Sequence, residues 1–223
     1  MVYYLSWQNE LPVLPANWQQ YLPQWRIEKA LAYKQEKDRI TSVLAFLLLR
    51  FALFKEYAVT AMPQIETDEN GKPFAVNGEY HFNLSHCDTA VACAVDVSPV
   101  GVDVQDFRPV GENVVKKVCS EAEQMCMLES RYDEQLFAAF WASKEAYGKN
   151  TGCGIGYNLK EYSFCPYLHF PQDMQYENHW IQTQVKDDYS LSVCACTKQQ
   201  FTAVNFDSIA EILSVLDRQT EKR

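Results

Sequence analysis

Asp103 and Gln105 lie two positions apart in the run Val100-Gly101-Val102-Asp103-Val104-Gln105, and Glu145 and Lys149 lie four apart in Phe140-Trp141-Ala142-Ser143-Lys144-Glu145-Ala146-Tyr147-Gly148-Lys149. The first run alternates Val with other residues as a buried strand does, so Asp103 and Gln105 share a face. The second reads as a helix, on which positions i and i+4 are neighbours. Two carboxylates from separate elements, with Lys144 and Lys149 beside one of them, suit Mg²⁺ and a phosphorylated ligand. Mg²⁺ is held by one or two carboxylates and completes its shell with water and phosphate oxygens. The chemistry is that of a phosphate ester or anhydride. A carboxylate set among Val100, Val102 and Val104 is costly to bury without a cation or hydrogen bonds. Plainer roles fit the same residues: the outer face of an edge strand for Asp103 and Gln105, a solvated helix face for the charges of the second run. In His81-Phe82-Asn83-Leu84-Ser85-His86, Ser85 and His86 end a strand, where they can donate to a phosphate; a surface loop with a structural histidine is the plainer reading.

The elements that must position these residues follow from pattern. Val2 to Trp7 reads as a strand, and Pro12, Pro15 and Pro23 then interrupt regular structure. Trp25 to Asp38 is charged and helix-like. Thr41-Ser42 is a plausible N-cap for Val43 to Tyr57, which is apolar round most of its circumference and therefore a central helix. Asn70-Gly71 is a turn signal ahead of Lys72-Pro73. Tyr80 to Leu84 and Thr89 to Val97 read as strands, and Ser98-Pro99 turns the second into Val100 to Gln105 as a hairpin. Helices are expected over Ser120 to Ser130 and Asp133 to Lys149, with Asn150, Gly152, Gly154 and Gly156 ending the latter in a flexible connection. Further strands are expected at Glu161 to Cys165, Trp180 to Val185, Ser190 to Cys196 and Phe201 to Val204, before a last helix near Asp207 to Arg218. Thr89 to Val95 is echoed by Ser190 to Cys196, and a long helix precedes each. This suggests an α+β fold of two similar halves, residues 1–104 and 105–223, packed as one body with a cleft between them, a junction that ligand sites favour.

Composition narrows the function. The chain has 223 residues, 48% of them hydrophobic and 22% charged, an ordinary globular balance. Its net charge of −9 argues against a nucleic-acid binder. An anionic substrate would have to be met by a local basic pocket. The start carries no basic, then apolar leader, and the longest apolar stretch, Val43 to Leu49, stops at Arg50, far short of the roughly 20 residues a membrane span needs. A cytoplasmic protein is expected. Most of the eight cysteines sit in apolar runs such as Val91-Ala92-Cys93-Ala94-Val95, as reduced small hydrophobes do. With no CxxC pair and the histidines distant in sequence, zinc is not expected.

Gly101-Val102-Asp103, followed by Phe140-Trp141-Ala142-Ser143-Lys144-Glu145-Ala146 and Lys149, resembles the paired signature of the 4′-phosphopantetheinyl transferases. Asn70-Gly71-Lys72-Pro73 resembles that family's GKP turn, Phe82-Asn83-Leu84-Ser85-His86 its FN(I/L)SH segment, and Ser120-Glu121-Ala122-Glu123 the FSxxE stretch ahead of its WxxKE helix. The order covers most of the chain and resembles the long, single-chain Sfp type rather than the half-length type that assembles as a trimer. The resemblance implies a monomeric pseudo-dimer of two α+β halves with coenzyme A in the cleft. It implies an enzyme that moves the phosphopantetheine arm of coenzyme A onto a serine of an apo carrier protein of fatty-acid, polyketide or nonribosomal peptide synthesis, leaving 3′,5′-ADP. By motif, Asp103 and Glu145 would hold Mg²⁺ against the pyrophosphate, with Gln105 a third candidate where many members have Glu. Lys149 would contact the same pyrophosphate. Lys72, Ser85 and His86 would hold the nucleotide end, with Arg39 and Arg50 as further phosphate contacts. Glu123 or a water would take the serine proton. The acidic carrier would dock on apolar residues near Cys119, Met125, Cys126, Met127 and Leu128, unless these only pack the helix core. A coenzyme A-binding module without transfer and an unrelated Mg²⁺-dependent phosphodiesterase are the alternatives.

Overall fold

In a computed structural model, which describes residues 1–69, 71–153, 158–164 and 172–220, the chain folds into four layers: helix, sheet, sheet, helix. Asn70 of the expected turn, Gly154 and Gly156 of the expected connection, and Cys165 at the end of an expected strand lie outside the described residues. The first sheet has the order β10-β1-β5-β4, from β1 (Val2–Ser6), β4 (His81–His86), β5 (Ala90–Asp96) and β10 (Phe201–Ala203). The second has the order β6-β9-β8-β7, from β6 (Val100–Asp106), β7 (Gln172–Tyr176), β8 (His179–Val185) and β9 (Tyr189–Ala195). A separate hairpin pairs β2 (Ile65–Thr67) with β3 (Pro73–Ala75). Neighbouring strands run antiparallel except β1 and β10, which are parallel, with Val2 opposite Phe201.

The alternation of side chains explains the layering. Val91, Cys93 and Val95 of β5 join the core against α2 (Glu36–Tyr57). Ala90, Ala92 and Ala94 of the same strand face Val100, Val102, Val104, Leu191 and Val193 of the second sheet. Small residues on one sheet thus meet branched ones on the other. The opposite face of the second sheet carries Ile181 and Cys194 against Ala146 and Tyr147 of α5 (Glu134–Thr151). α2 is buried continuously from Thr41 to Leu53, as its all-round apolar sequence requires. α6 (Phe206–Thr220) lays Ile209, Ile212, Leu213 and Leu216 into the same core. No described helix is long and apolar enough to cross a membrane.

The order β1-α2-β4-β5 is matched by β6-α5-β8-β9, and the three-strand run β1-β5-β4 of one sheet by β6-β9-β8 of the other, so the two sheet-bearing halves have a common plan. A division between residues 104 and 105 falls inside β6, while β10 and α6 return to the first half.

Three local expectations are corrected. β5 and β6 do not form a hairpin: β5 pairs with β1 and β4, β6 pairs with β9, and residues 97–99 carry the chain from one sheet to the other. Thr41 and Ser42 lie inside α2, which starts more than a turn earlier with Glu36 and Asp38 complementing its dipole. The charged stretch before it is split, since α1 (Gln24–Ala32) ends at an extended Tyr33. Residues 161–164 are not a strand. Two of their backbone groups bond side chains instead: the Tyr162 carbonyl accepts from Lys144, and the Phe164 amide donates to Glu123 at 2.9 Å.

Candidate active site

Gly101 sets how closely α5 approaches β6. A Cβ at that position would lie 2.1 Å from the Ala146 carbonyl oxygen and 2.5 Å from the Asn150 nitrogen, both backbone, so only glycine fits. Asn150 pins the helix end by donating from Nδ2 to the carbonyls of Pro99 at 2.8 Å and Cys194 at 3.0 Å. Earlier on the helix, Ser143 Oγ bonds Thr183 Oγ1 at 2.8 Å in a buried hydroxyl cluster that includes Ser192. With Ser143, Ala146 and Asn150 on the sheet, Glu145 and Lys149 leave α5 on one flank. Lys144 leaves on another, about 100° round from Glu145 at 3.6 residues per turn.

Asp103, 5% exposed, shares the α5-facing side of β6 with Gly101 and Gln105. Its Oδ1 accepts from Ser85 Oγ at 2.7 Å and from Lys149 Nζ at 2.5 Å, whereas Oδ2 is buried with no hydrogen-bond partner. Burial, and then the Asp103 carboxylate, push the Glu145 carboxyl above its ordinary value, with Lys149 partly offsetting them. Two anions therefore sit within electrostatic reach of each other, one with an open lone pair. A small hard cation between them would satisfy both. Among the described residues no group of three or more His, Cys, Asp or Glu forms a metal cluster, which leaves two protein carboxylates, the number Mg²⁺ commonly takes.

Asn83 and Ser85 of β4 close the free edge of β6. The Val102 amide donates to Asn83 Oδ1 at 2.8 Å and the Val104 amide to Ser85 Oγ at 3.2 Å. Side chains of one sheet thus replace the missing strand of the other. Ser85 Oγ also receives Lys149 Nζ at 3.3 Å, so this hydroxyl orients the carboxylate and the lysine together.

His86 follows Ser85 and therefore points to the opposite face of β4. It is exposed at its edge, yet desolvation, then Arg26 and Lys149, then Lys29 push its imidazole below the usual value, against a smaller opposing effect of Asp38. These cations form a local basic wall in an acidic protein. Arg26 is buried, donates to the Ser42 carbonyl at 2.9 Å, and leaves its Nε and the Ser42 hydroxyl without partners. Sequence reasoning missed Arg26 and Lys29; the available signal was their three-residue spacing in a stretch that reads as charged and helix-like.

The remaining expected residues are distributed differently. Lys72 is half-buried and its Nζ donates to the carbonyls of Lys149 and Asn150, capping the negative end of α5 from the β2–β3 hairpin. Burial lowers its pKa. Arg39 pairs with Glu36 on its own helix at 3.3 Å. Arg50 is buried and holds the Thr60 carbonyl at 3.0 Å beyond the end of α2, on the side of Tyr80 rather than of His86. Gln105 is half-buried and its Nε2 reaches only the Asp106 carbonyl at 3.3 Å. Glu123 is wholly buried, with both oxygens bonded: Oε2 to the Ser120 amide and Lys144, Oε1 to the Phe164 amide. That placement does not present it to a reacting hydroxyl. Asp103, Glu145, Lys149 and Ser85 are brought together, with His86 at their edge; Arg39, Arg50 and Glu123 are not. Two neighbouring cavities of about 560 Å³ each, which share Gln8, Thr89, Asp187 and Asp188, do not include this cluster.

The profile of the 4′-phosphopantetheinyl transferase superfamily matches residues 99–194, which span β6 through β9. The chain is 28% identical to the 4′-phosphopantetheinyl transferase Sfp of Bacillus subtilis (strain 168), over 82% of this chain and 87% of that protein. It is 35% identical to the 4′-phosphopantetheinyl transferase psf-1 of Bacillus pumilus over 56% of each. A more distant relative, the L-aminoadipate-semialdehyde dehydrogenase-phosphopantetheinyl transferase of Candida glabrata, is 25% identical over 70% of this chain and 61% of its own length. The matched region contains Asp103, Glu145 and Lys149, and the two-halved fold carries them at one seam: the chain belongs to the 4′-phosphopantetheinyl transferase superfamily, as an Sfp-type member.

Proposed function

We propose that this chain transfers the 4′-phosphopantetheine arm of coenzyme A to a serine of an apo carrier protein, with Mg²⁺, releasing 3′,5′-ADP. The observation that carries the reading is the convergence of Asp103, Glu145 and Lys149, with Asp103 Oδ2 buried and unbonded. Asp103 and Glu145 would hold Mg²⁺, which when bound polarises the pyrophosphate and stabilises charge on the leaving phosphate. Lys149, already bonded to Asp103 and Ser85, stands where it can follow that charge. Ser85 keeps carboxylate and lysine in register. Arg26 and Lys29 offer cationic contacts for the nucleotide phosphates, and His86, whose imidazole is pushed toward its neutral form beside them, offers a hydrogen-bond donor. Attack by the serine oxygen on phosphorus forms the new phosphodiester and breaks the pyrophosphate bond, the serine proton leaving to solvent.

The carrier would dock on the face of α3 (Glu112–Val118) and α4 (Glu121–Glu129). Met125 and Leu128 of α4 and Val114 of α3 are exposed, and Lys116 and Lys117 lie on the exposed side of α3. Lys116 is paired with Glu112, and Glu121 and Glu129 are exposed as well, so the face is apolar with mixed charge and the exposed apolar residues would carry the docking. Of the other residues expected there, Cys119 and Met127 are fully buried and pack the helices instead. The chain is expected to act as a monomer in the cytoplasm.

The test is the intact mass of an apo carrier protein after incubation with this protein, coenzyme A and Mg²⁺, beside an EDTA control. A metal-dependent gain of one phosphopantetheine arm is expected, lost with Glu145→Gln while the fold persists. Near-normal turnover by that variant would overturn the metal assignment. Release of 3′,5′-ADP without carrier would favour a phosphodiesterase.

A further inference from the structure

The ion pair between Glu123 and Lys144 has no part in the chemistry above, yet it is the most enclosed charge pair among the described residues. Neither side chain has exposed surface, and Nζ lies 2.8 Å from Oε2. All three ammonium donors have acceptors: Glu123, the Leu159 carbonyl at 2.7 Å and the Tyr162 carbonyl. Glu123 closes a capping box at the start of α4 with Ser120, whose hydroxyl bonds Ser163 at 2.9 Å. The pair therefore clasps three pieces of chain: the start of α4, the segment 159–164, and α5. Around it lies a small core separate from the two sheets, with Val115, Val118, Cys119 and Met127 packed on Phe140.

A buried ion pair is roughly neutral for stability against apolar residues of similar volume. What it supplies is direction, because each bond fixes where one backbone segment sits. We propose that Glu123 and Lys144 are positioning residues: they lock the α3–α4 face onto the helix that carries Glu145 and Lys149, so that the surface the carrier binds is held ready-formed beside the reacting centre. This rests on the reading that the carrier docks on α3 and α4. The flank geometry of α5 supports the assignment, since Lys144 leads to α4 while Glu145 and Lys149 lead to β6. One helix thus joins the docking face to the reacting centre.

The experiment compares wild type with the double variant Glu123→Gln/Lys144→Met, which removes both charges at nearly constant volume and keeps one acceptor oxygen, for either the Ser120 or the Phe164 amide. Carrier KM, kcat at saturating carrier, and coenzyme A affinity by calorimetry are measured, with circular dichroism as the check on folding. Carrier KM should rise about tenfold, with coenzyme A affinity unchanged and kcat within about threefold. A large fall in kcat at unchanged carrier KM would overturn the proposal and return Glu123 to proton transfer. Unchanged KM and kcat would overturn it as well. Met125→Glu and Leu128→Glu separate the two readings. If these raise carrier KM and the double variant does not, the positioning role alone fails. If they have no effect, the docking face is misplaced and the proposal falls with it. Should the double variant not fold, Ser163→Ala removes one bond at the same seam. It should raise carrier KM about twofold, as loss of a modest hydrogen bond would, and no change overturns the proposal.

Discussion

Replacing Gly101 with Ala adds one methyl carbon where the structure has none to spare. That carbon would sit 2.1 Å from the Ala146 carbonyl oxygen, 2.5 Å from the Asn150 nitrogen and 3.1 Å from the Ala146 carbonyl carbon. All three are backbone atoms of α5, so no side chain can turn away. An ordinary carbon–oxygen contact needs about 3.3 Å, so α5 would have to retreat from β6 by roughly 1 Å. The retreat strains the Asn150 bonds to Pro99 and Cys194 and carries Glu145 and Lys149 away from Asp103. Overpacking of this kind costs about 1–3 kcal/mol. A misplacement of about 1 Å at a reacting centre costs about 100-fold in rate. Urea melts should therefore show Gly101→Ala folded but less stable, and the carrier mass assay should show transfer slowed by about two orders of magnitude. Gly148→Ala is the control on the same helix: its Cβ meets nothing within 4 Å, and it should stabilise by about 0.5–1 kcal/mol. Gly101→Ala with wild-type melting and wild-type turnover would refute the claim that close approach of helix and strand builds the site.

Asp106 gives a pH-dependent expectation. Burial alone would raise its pKa, but hydrogen bonds from the Asp88 amide at 2.9 Å and Thr89 Oγ1 at 2.8 Å, with Arg108 nearby, hold it below the ordinary value. A depressed carboxyl contributes stability that is present above its unfolded pKa of about 3.9 and lost as pH falls through the lower folded value. Asp106→Asn should therefore cost about 1.5–3 kcal/mol near neutrality. The difference should shrink in acid, and a deficit constant through the carboxylate range would refute the assignment. Gln105→Glu adds a carboxylate on the face that carries Asp103 and should tighten Mg²⁺ binding in a calorimetric titration; an unchanged titration would put position 105 outside the metal's ligands.

The strand and helix that carry the site were legible because their chemistry is local. Alternating Val residues placed Asp103 opposite the Val face, and the four-residue spacing placed Glu145 beside Lys149. The capping box from Ser120 to Glu123 was also visible as a pattern, but a pattern does not tell a structural carboxylate from a reactive one. Lys144 decides that question, and the contact spans 21 positions. The misread hairpin has a similar cause. Ser98-Pro99 signals a reversal, and a reversal between two strands buried on both faces serves equally for pairing in one sheet and for stacking between two. The small face of Ala90, Ala92 and Ala94 against larger Val residues distinguishes them only once both sheets are known. Lys72 was assigned to the nucleotide by motif, whereas its reach to α5 depends on a hairpin docking 77 positions away.

The parallel pairing of β1 with β10 has a bearing on how the chain is made. Val2 and its partner Phe201 are 199 positions apart, so that whole span must be synthesised before the two can pair. Until then one edge of β1 stays open, and α6 cannot yet cover α2. An unpaired strand edge beside a strongly apolar helix is a template for association with other chains. The first half is thus closed only after the second has been made, so its vulnerable period lasts at least as long as the span between β1 and β10 takes to translate.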